Sequence, residues 1–160
     1  MPDIKLRVKR LPHCKALPKY ATEGASGLDL CAAIAQPLTI ASRERKRVPT
    51  GVIIAIPEGY EGQVRARSGL ADRAGLGLTN GIGTIDSDYR GEVQVLMINH
   101  GPDSYTIQPG DRVAQLVLMP VPRVEVEEVD ELTTTVRGDG GFGSTGTGSH
   151  SRPAGQRGET

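Results

Sequence analysis

Apolar and polar residues alternate along much of this chain, and a period of two predicts β-strands. Residues 4–11 alternate apolar with basic side chains, so one face should pack on a core while the other faces water. Alternation or a short apolar run predicts further strands at residues 25–33, 52–56, 63–67, 94–99, 104–107 and 112–119. The chain is therefore predicted to be all-β.

One segment has helical spacing instead. A helix is predicted over residues 68–75, where Ser68 can cap the first turn and Gly75 can end the last. Turn-forming residues at 58–62 and 109–111 separate neighbouring strands. The helix is thus a short interruption in a β-protein.

Residues 81–92, in the middle of the chain, combine glycine, acid and aromatic residues. Turn formers at 86–88 lie between apolar segments, which predicts a β-hairpin with Asp86 and Asp88 at a buried mouth. Because a carboxylate away from water is costly unless it is paired or has a task, one of the two should be paired or catalytic. Their spacing does not choose between them.

The C-terminal part changes character. Residues 121–132 carry Val-x-Val-x-Val with interleaved Glu, which predicts a strand leaving the body of the domain. Gly138, Gly140 and Gly143 then match G-x-G-x-x-G, but a dinucleotide site needs a strand before it and a helix after it, so we reject that match. Such a glycine-rich segment is typical of a disordered tail, or it orders over a ligand with Phe142 covering a base.

Composition fits one domain built from aliphatic strands. The 160 residues include no Trp and one Phe, while 21 Gly and 11 Pro supply turns. Basic and acidic residues number 19 each, which argues against a nucleic-acid-binding or membrane-surface protein. The basic residues 43–47 are interpreted as a solvated bend between strands, because Glu44 interrupts them.

The two cysteines, Cys14 and Cys31, form neither a disulfide framework nor a metal-ligand pattern with the histidines. No apolar run approaches the roughly 20 residues that span a bilayer, and the N-terminus lacks a signal-peptide core. We therefore expect a soluble, cytoplasmic protein with reduced cysteines.

Several polar residues within or beside predicted strands are candidates for chemistry. Asp29 is an acid in a strand of small side chains, and either it faces solvent or it has a task. The Arg-Ser-Gly triplet at 67–69 could bind phosphate at the start of the helix, or belong to an ordinary capped helix. Gln115 is an amide among aliphatic residues, and Asp111 could pair with Arg112 at the start of that strand.

Five motifs in order resemble those of the trimeric deoxyuridine triphosphate nucleotidohydrolases (dUTPases). They are Ala-Ser-Gly-Leu-Asp-Leu at 25–30, Arg-Ser-Gly-Leu-Ala at 67–71, Gly-Thr-Ile-Asp-Ser-Asp-Tyr-Arg-Gly-Glu at 83–92, Gly-Asp-Arg-Val-Ala-Gln at 110–115 and Arg-Gly-Asp-Gly-Gly-Phe-Gly-Ser-Thr-Gly at 137–146. One motif alone would be weak, whereas five in this order make the resemblance specific.

The resemblance implies an all-β fold, a distorted antiparallel jelly roll of the β-clip type with one short helix. It also implies a homotrimer that shares its active sites between subunits and exchanges its C-terminal arm. The chain would then divide into a β-domain at 1–136, a glycine-rich arm closing over the active site at 137–148 and a disordered tail at 149–160.

The implied activity is hydrolysis of dUTP to dUMP and pyrophosphate by attack of water on the α-phosphorus. This reaction would keep uracil out of DNA and supply dUMP for thymidylate synthesis. Asp86 would be the general base, which leaves Asp88 structural. Mg²⁺ would be held mainly by the triphosphate, with Asp29 reaching it through a water. The implied partners are dUTP and two further copies of the chain, with no nucleic acid or membrane.

The resemblance also assigns substrate-binding residues. Tyr89 would lie under the sugar and clash with a ribose 2′-hydroxyl, and Gln94 stands where the family often has Met or Lys beside the base. The implied set is Arg67, Ser68, Gly69 and Gln115 for phosphates, Asn80, Gly83, Thr84, Ile85 and Gln94 for the base, Tyr89 for the sugar, and Arg137, Phe142, Gly143, Ser144 and Thr145 in the closing arm.

Two other functions fit parts of this pattern. A deoxycytidine triphosphate deaminase or a bifunctional relative would share the fold, but the complete arm motif and the Asp-Ser-Asp-Tyr sequence favour the hydrolase. The zinc deaminase signature is absent. A non-catalytic binding module would require the loss of catalytic positions, and those positions are all present.

Overall fold

The computed structural model describes residues 4–141, which contain eleven strands and one short helix. In chain order they are Arg7–Arg10 (β1), Lys19–Tyr20 (β2), Leu28–Cys31 (β3), Leu38–Ile40 (β4), Arg45–Ala55 (β5), Tyr60–Ala66 (β6), Ser68–Ala74 (α1), Leu76–Leu78 (β7), Gly83–Ile85 (β8), Glu92–Asn99 (β9), Tyr105–Ile107 (β10) and Arg112–Pro120 (β11).

The strands form three antiparallel sheets. One has the order β1-β5-β9-β7, another the order β2-β3-β11-β6-β8, and β10 pairs with β4. Neighbours in the larger sheets are distant in sequence, as expected for a jelly-roll-type fold. The prediction of an all-β fold with antiparallel sheets and one short helix is confirmed.

The core is built from the alternating side chains that the sequence pattern indicates. In β9, Val93, Val95 and Met97 are buried, and the side chains between them are more exposed. One contiguous apolar cluster includes these residues together with Leu30 and Leu116 of the five-stranded sheet. Each such burial stabilises the fold by about 1.5–3 kcal/mol, so the cluster fixes the strands that carry polar residues at their ends.

The helix α1 has the predicted extent but not the predicted cap. Arg67, not Ser68, is the residue before the first turn, and it makes no side-chain capping hydrogen bond. Gly75 ends the helix as predicted, with a φ of 67° and a backbone N–H that donates to Ala71 and Leu70. A side chain at Gly75 would be strained in this left-handed conformation, and its Cβ would lie 2.5 Å from the Gly101 nitrogen.

The hairpin predicted at residues 81–92 is wrong. β8 pairs with β6, whereas β9 pairs with β5 and β7 in the other large sheet. The residues between them therefore cross from one sheet to the other. A turn does form at residues 87–88, but β5 and β7 occupy both edges of β9, so no edge is left for β8.

Two predicted bends are shorter than expected. Arg43 adopts a positive φ of 65° in a turn, but β5 begins at Arg45 and so takes in most of the basic run. Its Arg45 and Arg47 side chains are exposed, as predicted for a solvated segment. Gly59 likewise forms a turn with a φ of 79°, and β6 starts directly after it.

The strand predicted at residues 121–132 is not formed. The ladder between β11 and β6 ends where Pro120 faces Tyr60. Residues 121–141 contain no helix or strand. A strand needs a hydrogen-bonding neighbour, and the alternating valines alone do not supply one.

The chain divides into two compact units, Met1–Arg123 and Val124–Thr160. The first holds every strand named above. In the second, Val124, Val126, Leu132 and Val136 are highly exposed. Between residues 4 and 141 there is no helix long and apolar enough to cross a membrane.

Candidate active site

Residues 78–96, together with Arg47 and Val64, line a cavity of about 420 Å³, which we call the nucleoside pocket. It brings together the residues predicted to hold a base and a sugar and the predicted catalytic acid. Its lining consists of Arg47, Val64, Leu78, Asn80, Gly83, Thr84, Ile85, Asp86, Tyr89, Glu92, Val93, Gln94 and Leu96.

Along β8, the wall of this pocket consists mainly of backbone atoms. This strand lies at the edge of its sheet, because β6 covers only one of its sides. A Cβ on Gly83 would lie 3.2 Å from the Asn80 amide nitrogen and 3.3 Å from Val64 Cβ. Glycine at this position therefore leaves room for the Asn80 amide and the Val64 side chain over this face of β8.

Tyr89 is held in place by its own loop. Its hydroxyl donates to the backbone oxygen of Glu92 at 3.1 Å, although the side chain is 45% exposed. A Cβ on Gly91 would overlap the Tyr89 hydroxyl, so a side chain there would displace the ring. With glycine at 91, the ring lines the pocket.

Asp86 and Asp88 are both exposed, which corrects the prediction of a buried pair of carboxylates. Asp86 lines the nucleoside pocket, whereas Asp88 does not. Neither carboxylate forms an ion pair with any residue from 4 to 141. The Asp86 carboxylate is therefore available to a water molecule at the pocket wall.

Glu92 is a pocket residue to which the sequence pattern assigned no role. Its Oε1 accepts from the Gly51 N–H at 2.7 Å and lies 2.8 Å from His13 Nε2. Gly51 lies in a bulge of β5, between Pro49 and Ile53, where the ladder with β9 is interrupted. Burial acts to raise the pKa of Glu92, but the hydrogen bonds from His13 and Gly51 outweigh it and hold that pKa below 4.5. No local signal could reveal this contact, because His13 is 79 residues away.

A second group of side chains, the anion cluster, consists of Asp29, Arg67, Arg112 and Gln115. Arg112 Nη1 donates to Asp29 Oδ2 at 2.9 Å, and Arg67 Nε lies 3.5 Å from Asp29 Oδ1. Gln115 Nε2 also lies 3.5 Å from Oδ1. Asp29 is 3% exposed, so it does not face solvent. Two guanidinium groups around one carboxylate leave a positive charge that suits an anion.

Pairing of β3 with β11 and of β11 with β6 explains how this cluster forms. Gln115 is the register partner of both Asp29 and Arg65. The expected pair between Asp111 and Arg112 does not form. Arg112 binds Asp29, while the Asp111 carboxylate accepts from the Gln108 N–H at 2.8 Å.

Cys31 lies beside the anion cluster, where it faces Arg112 across β3 and β11. Burial and the nearby Asp29 carboxylate raise the pKa of its thiol above 9.0, against the lowering effect of Arg112. Both cysteines are free thiols, as expected for a chain without a disulfide framework.

Within one chain, Asp86 and Arg67 lie near opposite ends of β6. Ile85 pairs with Gly62 near the start of this strand, whereas Arg67 follows its last residue, Ala66. At about 3.3 Å per residue, the two site residues are roughly 20 Å apart along the backbone direction. The nucleoside pocket and the anion cluster of one chain therefore do not meet.

The predicted arm residues are only partly within the described region. Arg137 Nε donates to the Gly140 oxygen at 2.8 Å, and Gly138 has a φ of 53° in the turn between them. Phe142, Gly143, Ser144 and Thr145 lie outside the described residues.

Comparisons with known proteins point to one family. The family model described as dUTPase matches residues 14–146. The chain is 58% identical over 130 residues to a deoxyuridine 5′-triphosphate nucleotidohydrolase of Anaeromyxobacter sp. (strain Fw109-5), covering 81% of this chain and 87% of the relative. It is also 58% identical over 149 residues to the nucleotidohydrolase of the same description from Aquifex aeolicus (strain VF5), covering 92% and 99%.

Solved structures agree with the fold. A dUTPase variant of Staphylococcus bacteriophage 80alpha, determined with dUpNHpp, superposes with a TM-score of 0.81 at 27% identity, covering 89% of this chain and 99% of that one. A variant dUTPase from phage phi11 of S. aureus, which coordinates a structural Mg(II) ion, has a TM-score of 0.71 at 25% identity and covers 79% and 97%.

Proposed function

The chain belongs to the dUTPase family, and we propose how its residues hydrolyse dUTP to dUMP and pyrophosphate. One observation carries the proposal: a single cavity of about 420 Å³ unites Asn80, Gly83–Ile85, Tyr89 and Asp86. It is large enough for a nucleoside and places an exposed carboxylate at its wall. The product dUMP would serve thymidylate synthesis, and removal of dUTP would keep uracil out of DNA.

Asp86 is the general base. Its carboxylate orients a water and takes its proton as the water oxygen bonds to the α-phosphorus. The bond from this phosphorus to the bridging oxygen breaks, and pyrophosphate leaves. Such proton transfer contributes about 10²–10⁴-fold to the rate. The exposure of Asp86 and its lack of an ion pair within residues 4–141 support this role.

The exposed edge of β8 recognises the base. Its outer backbone groups have no ladder partner among the described residues, so they can hydrogen-bond the uracil edge much as a neighbouring strand would. Asn80 adds a side-chain amide beside Gly83. Cytosine reverses one donor and acceptor and leaves a buried group unpaired, which disfavours it. The close wall also leaves no room for the methyl group of thymine.

Tyr89 recognises the sugar. The hydrogen bond from its hydroxyl to Glu92 and the absence of a side chain at Gly91 hold the ring in place. A fixed ring under the deoxyribose would clash with a ribose 2′-hydroxyl. Gln94 lines the same pocket and completes the base-binding set.

The anion cluster binds the phosphates. Arg67, Ser68, Gly69 and Gln115 contact the phosphate oxygens, with Arg67 already anchored by Asp29 and by a hydrogen bond of 3.0 Å to the Arg112 oxygen. This anchoring means that little side-chain freedom is lost when the substrate binds.

An Mg²⁺ ion that is held chiefly by the phosphates of the substrate fits the residues of this site. No group of three or more His, Cys, Asp or Glu side chains suited to a metal lies within residues 4–141, so the described chain offers no cage of its own. Mg²⁺ keeps several waters and usually needs only one or two carboxylates together with phosphates. Asp29 would hold the Mg²⁺ ion through a water, and the bound ion would neutralise charge on the phosphates.

A complete site requires more than one copy of the chain. The general base and the phosphate-binding Arg67 of one copy are roughly 20 Å apart, too far to act on one α-phosphate. We assign the pocket of one copy and the anion cluster of a neighbour to the same substrate. Repeating this head-to-tail contact closes a three-fold ring, which gives the homotrimer.

The C-terminal segment completes the assembly. The exposed Val124, Val126 and Leu132 would be covered by a neighbouring copy when the arm is exchanged. Residues 1–136 would then form the β-domain, 137–148 the closing arm and 149–160 a tail. Arg137, Phe142, Gly143, Ser144 and Thr145 would close over the nucleotide.

The test is release of pyrophosphate from dUTP, dCTP, dTTP and UTP in the presence of Mg²⁺, with Asp86→Asn beside the natural chain. We expect turnover of dUTP alone and a loss of about 10²–10⁴-fold in kcat for the variant. Absence of dUTP turnover would refute the assignment, and an unimpaired Asp86→Asn chain would refute the mechanism. Release of ammonia from dCTP would favour the deaminase alternative.

A further inference from the structure

Three arginines converge on a second cavity beside the anion cluster. This cavity has a volume of about 230 Å³ and is lined by Arg67, Arg73 and Arg112, with Asp111 at its wall. Arg67 and Arg112 already belong to the anion cluster through Asp29. Arg73, in the last turn of α1, has so far been given no role.

The Arg73 guanidinium points back along the helix to the phosphate-binding residues. A Cβ on Gly69 would lie 3.2 Å from Arg73 Nη2 and 3.5 Å from its Cζ. The guanidinium therefore occupies the space beside Gly69 that any larger residue would take. This contact places the Arg73 guanidinium beside Gly69, and Arg73 and Arg67 line the same cavity.

The charges around this cavity leave Arg73 without a counter-ion. The Asp29 carboxylate is engaged by Arg67 and Arg112, and the Asp111 carboxylate accepts from the backbone of Gln108. Arg73 makes no ion pair or side-chain hydrogen bond with any residue between 4 and 141. A planar guanidinium beside two others is well suited to two-pronged hydrogen bonding with phosphate oxygens.

We propose that Arg73 is a further substrate-binding residue, which holds the terminal phosphates of the nucleotide and the pyrophosphate product in the cavity shared with Arg67 and Arg112. This inference rests on the proposed function. Because dUMP lacks the terminal phosphates, Arg73 contributes to binding of the substrate and of pyrophosphate but not of dUMP.

The test compares Arg73→Gln and Arg73→Lys with the natural chain in steady-state dUTP hydrolysis with Mg²⁺. For Arg73→Gln we expect the KM for dUTP and the inhibition constant for pyrophosphate each to rise about tenfold, the effect of losing one charge-assisted hydrogen bond. Inhibition by dUMP should not change. Arg73→Lys should recover part of the pyrophosphate affinity, because it keeps the charge and loses the planar fork.

Arg45→Gln is the matched control, since Arg45 is an exposed arginine on β5 and lines neither cavity described above. Unchanged pyrophosphate inhibition in Arg73→Gln, or equal weakening of dUMP inhibition, would overturn the inference. Calorimetric titration with magnesium pyrophosphate needs no turnover and separates this inference from the proposed function. Binding that is about tenfold weaker in Arg73→Gln supports the site even if dUTP is not hydrolysed, whereas equal binding, or none by the natural chain, refutes it.

Discussion

The nucleoside pocket is formed mainly by one continuous stretch, residues 78–96, joined by Arg47 and Val64. The anion cluster instead joins side chains from β3, the start of α1 and β11, and its partners Asp29 and Gln115 are 86 residues apart. The pocket is recognisable from a local segment because its shape depends largely on backbone and glycine. Formation of the cluster depends on the register of three strands.

Burial differs in the same way. Asp86 and Tyr89 are exposed, whereas Asp29 is 3% exposed and holds two arginines. A change at Asp86 or Tyr89 should therefore affect catalysis with little loss of stability. A change in the cluster should affect both, because it leaves a cation without its partner.

The largest expected effect comes from mixing two inactive chains. Arg67→Ala should disable the anion cluster and Asp86→Asn the pocket. Co-expressed at equal levels, they should regain about a quarter of the natural activity, because about three quarters of random three-fold rings contain both chains and each such ring has one intact site. Hydrolysis of dUTP by the purified mixture checks this. A mixture as inactive as its components would show that the two regions do not meet between copies.

Asp29→Asn should destabilise the fold more than Asp86→Asn, because Asp29 is buried and paired whereas Asp86 is exposed. It removes the carboxylate between Arg112 and Arg67, and we expect a loss of about 2 kcal/mol in the free energy of unfolding, reduced from the value for a fully buried pair because Arg112 is 49% exposed. Urea denaturation measures it. The control is Glu44→Gln, which removes the exposed pair with Lys46 and should have no measurable effect. Equal losses for both variants would show that the buried Asp29 pairs stabilise the fold no more than an exposed surface pair.

Gly83→Ala should test the wall proposed to contact the base. Its Cβ would lie 3.2 Å from the Asn80 amide nitrogen and 3.3 Å from Cβ of the buried Val64. We expect the KM for dUTP to rise about tenfold, and the crowding of Val64 to lower the free energy of unfolding by about 1 kcal/mol. Gly24→Ala is the control, since no atom lies within 4 Å of a Cβ there. A KM unchanged by Gly83→Ala would remove β8 from the base-binding wall.

Glu92→Gln should have the smallest effect and a specific pH dependence. The pKa of Glu92 is lowered in the folded chain, so its charge stabilises the fold above about pH 4.5 and that contribution is lost as the pH falls through the folded-state pKa. The natural chain should exceed the variant by about 1 kcal/mol at pH 7, and the difference should shrink below pH 4.5. Thermal unfolding from pH 3 to pH 7 checks this; a difference that is constant with pH would exclude the carboxylate charge as its cause.

Particular residues show which predictions from the sequence pattern agree with the structure and which do not. Val93, Val95 and Met97 are buried as their alternation predicts, and Gly75 ends the helix as predicted. The roles of Asp29 and Glu92 could not be inferred from their local sequence, since their partners are 83 and 79 residues away. The predicted hairpin failed for the same reason: turn formers at 86–88 indicate a reversal but not which strand lies on each side.

The amino-acid sequence was enough to locate most of the longer strands, their buried faces and the five motifs, but not the short strands β2, β4 and β7. The folded structure was needed to show that β8 and β9 belong to different sheets, that Arg112 binds Asp29 instead of Asp111, and that Asp86 and Arg67 lie near opposite ends of β6. The physical reason is that alternation specifies the face of a strand, whereas backbone hydrogen bonding is nearly indifferent to residue type. The choice of neighbour and register is therefore made by packing of the whole domain.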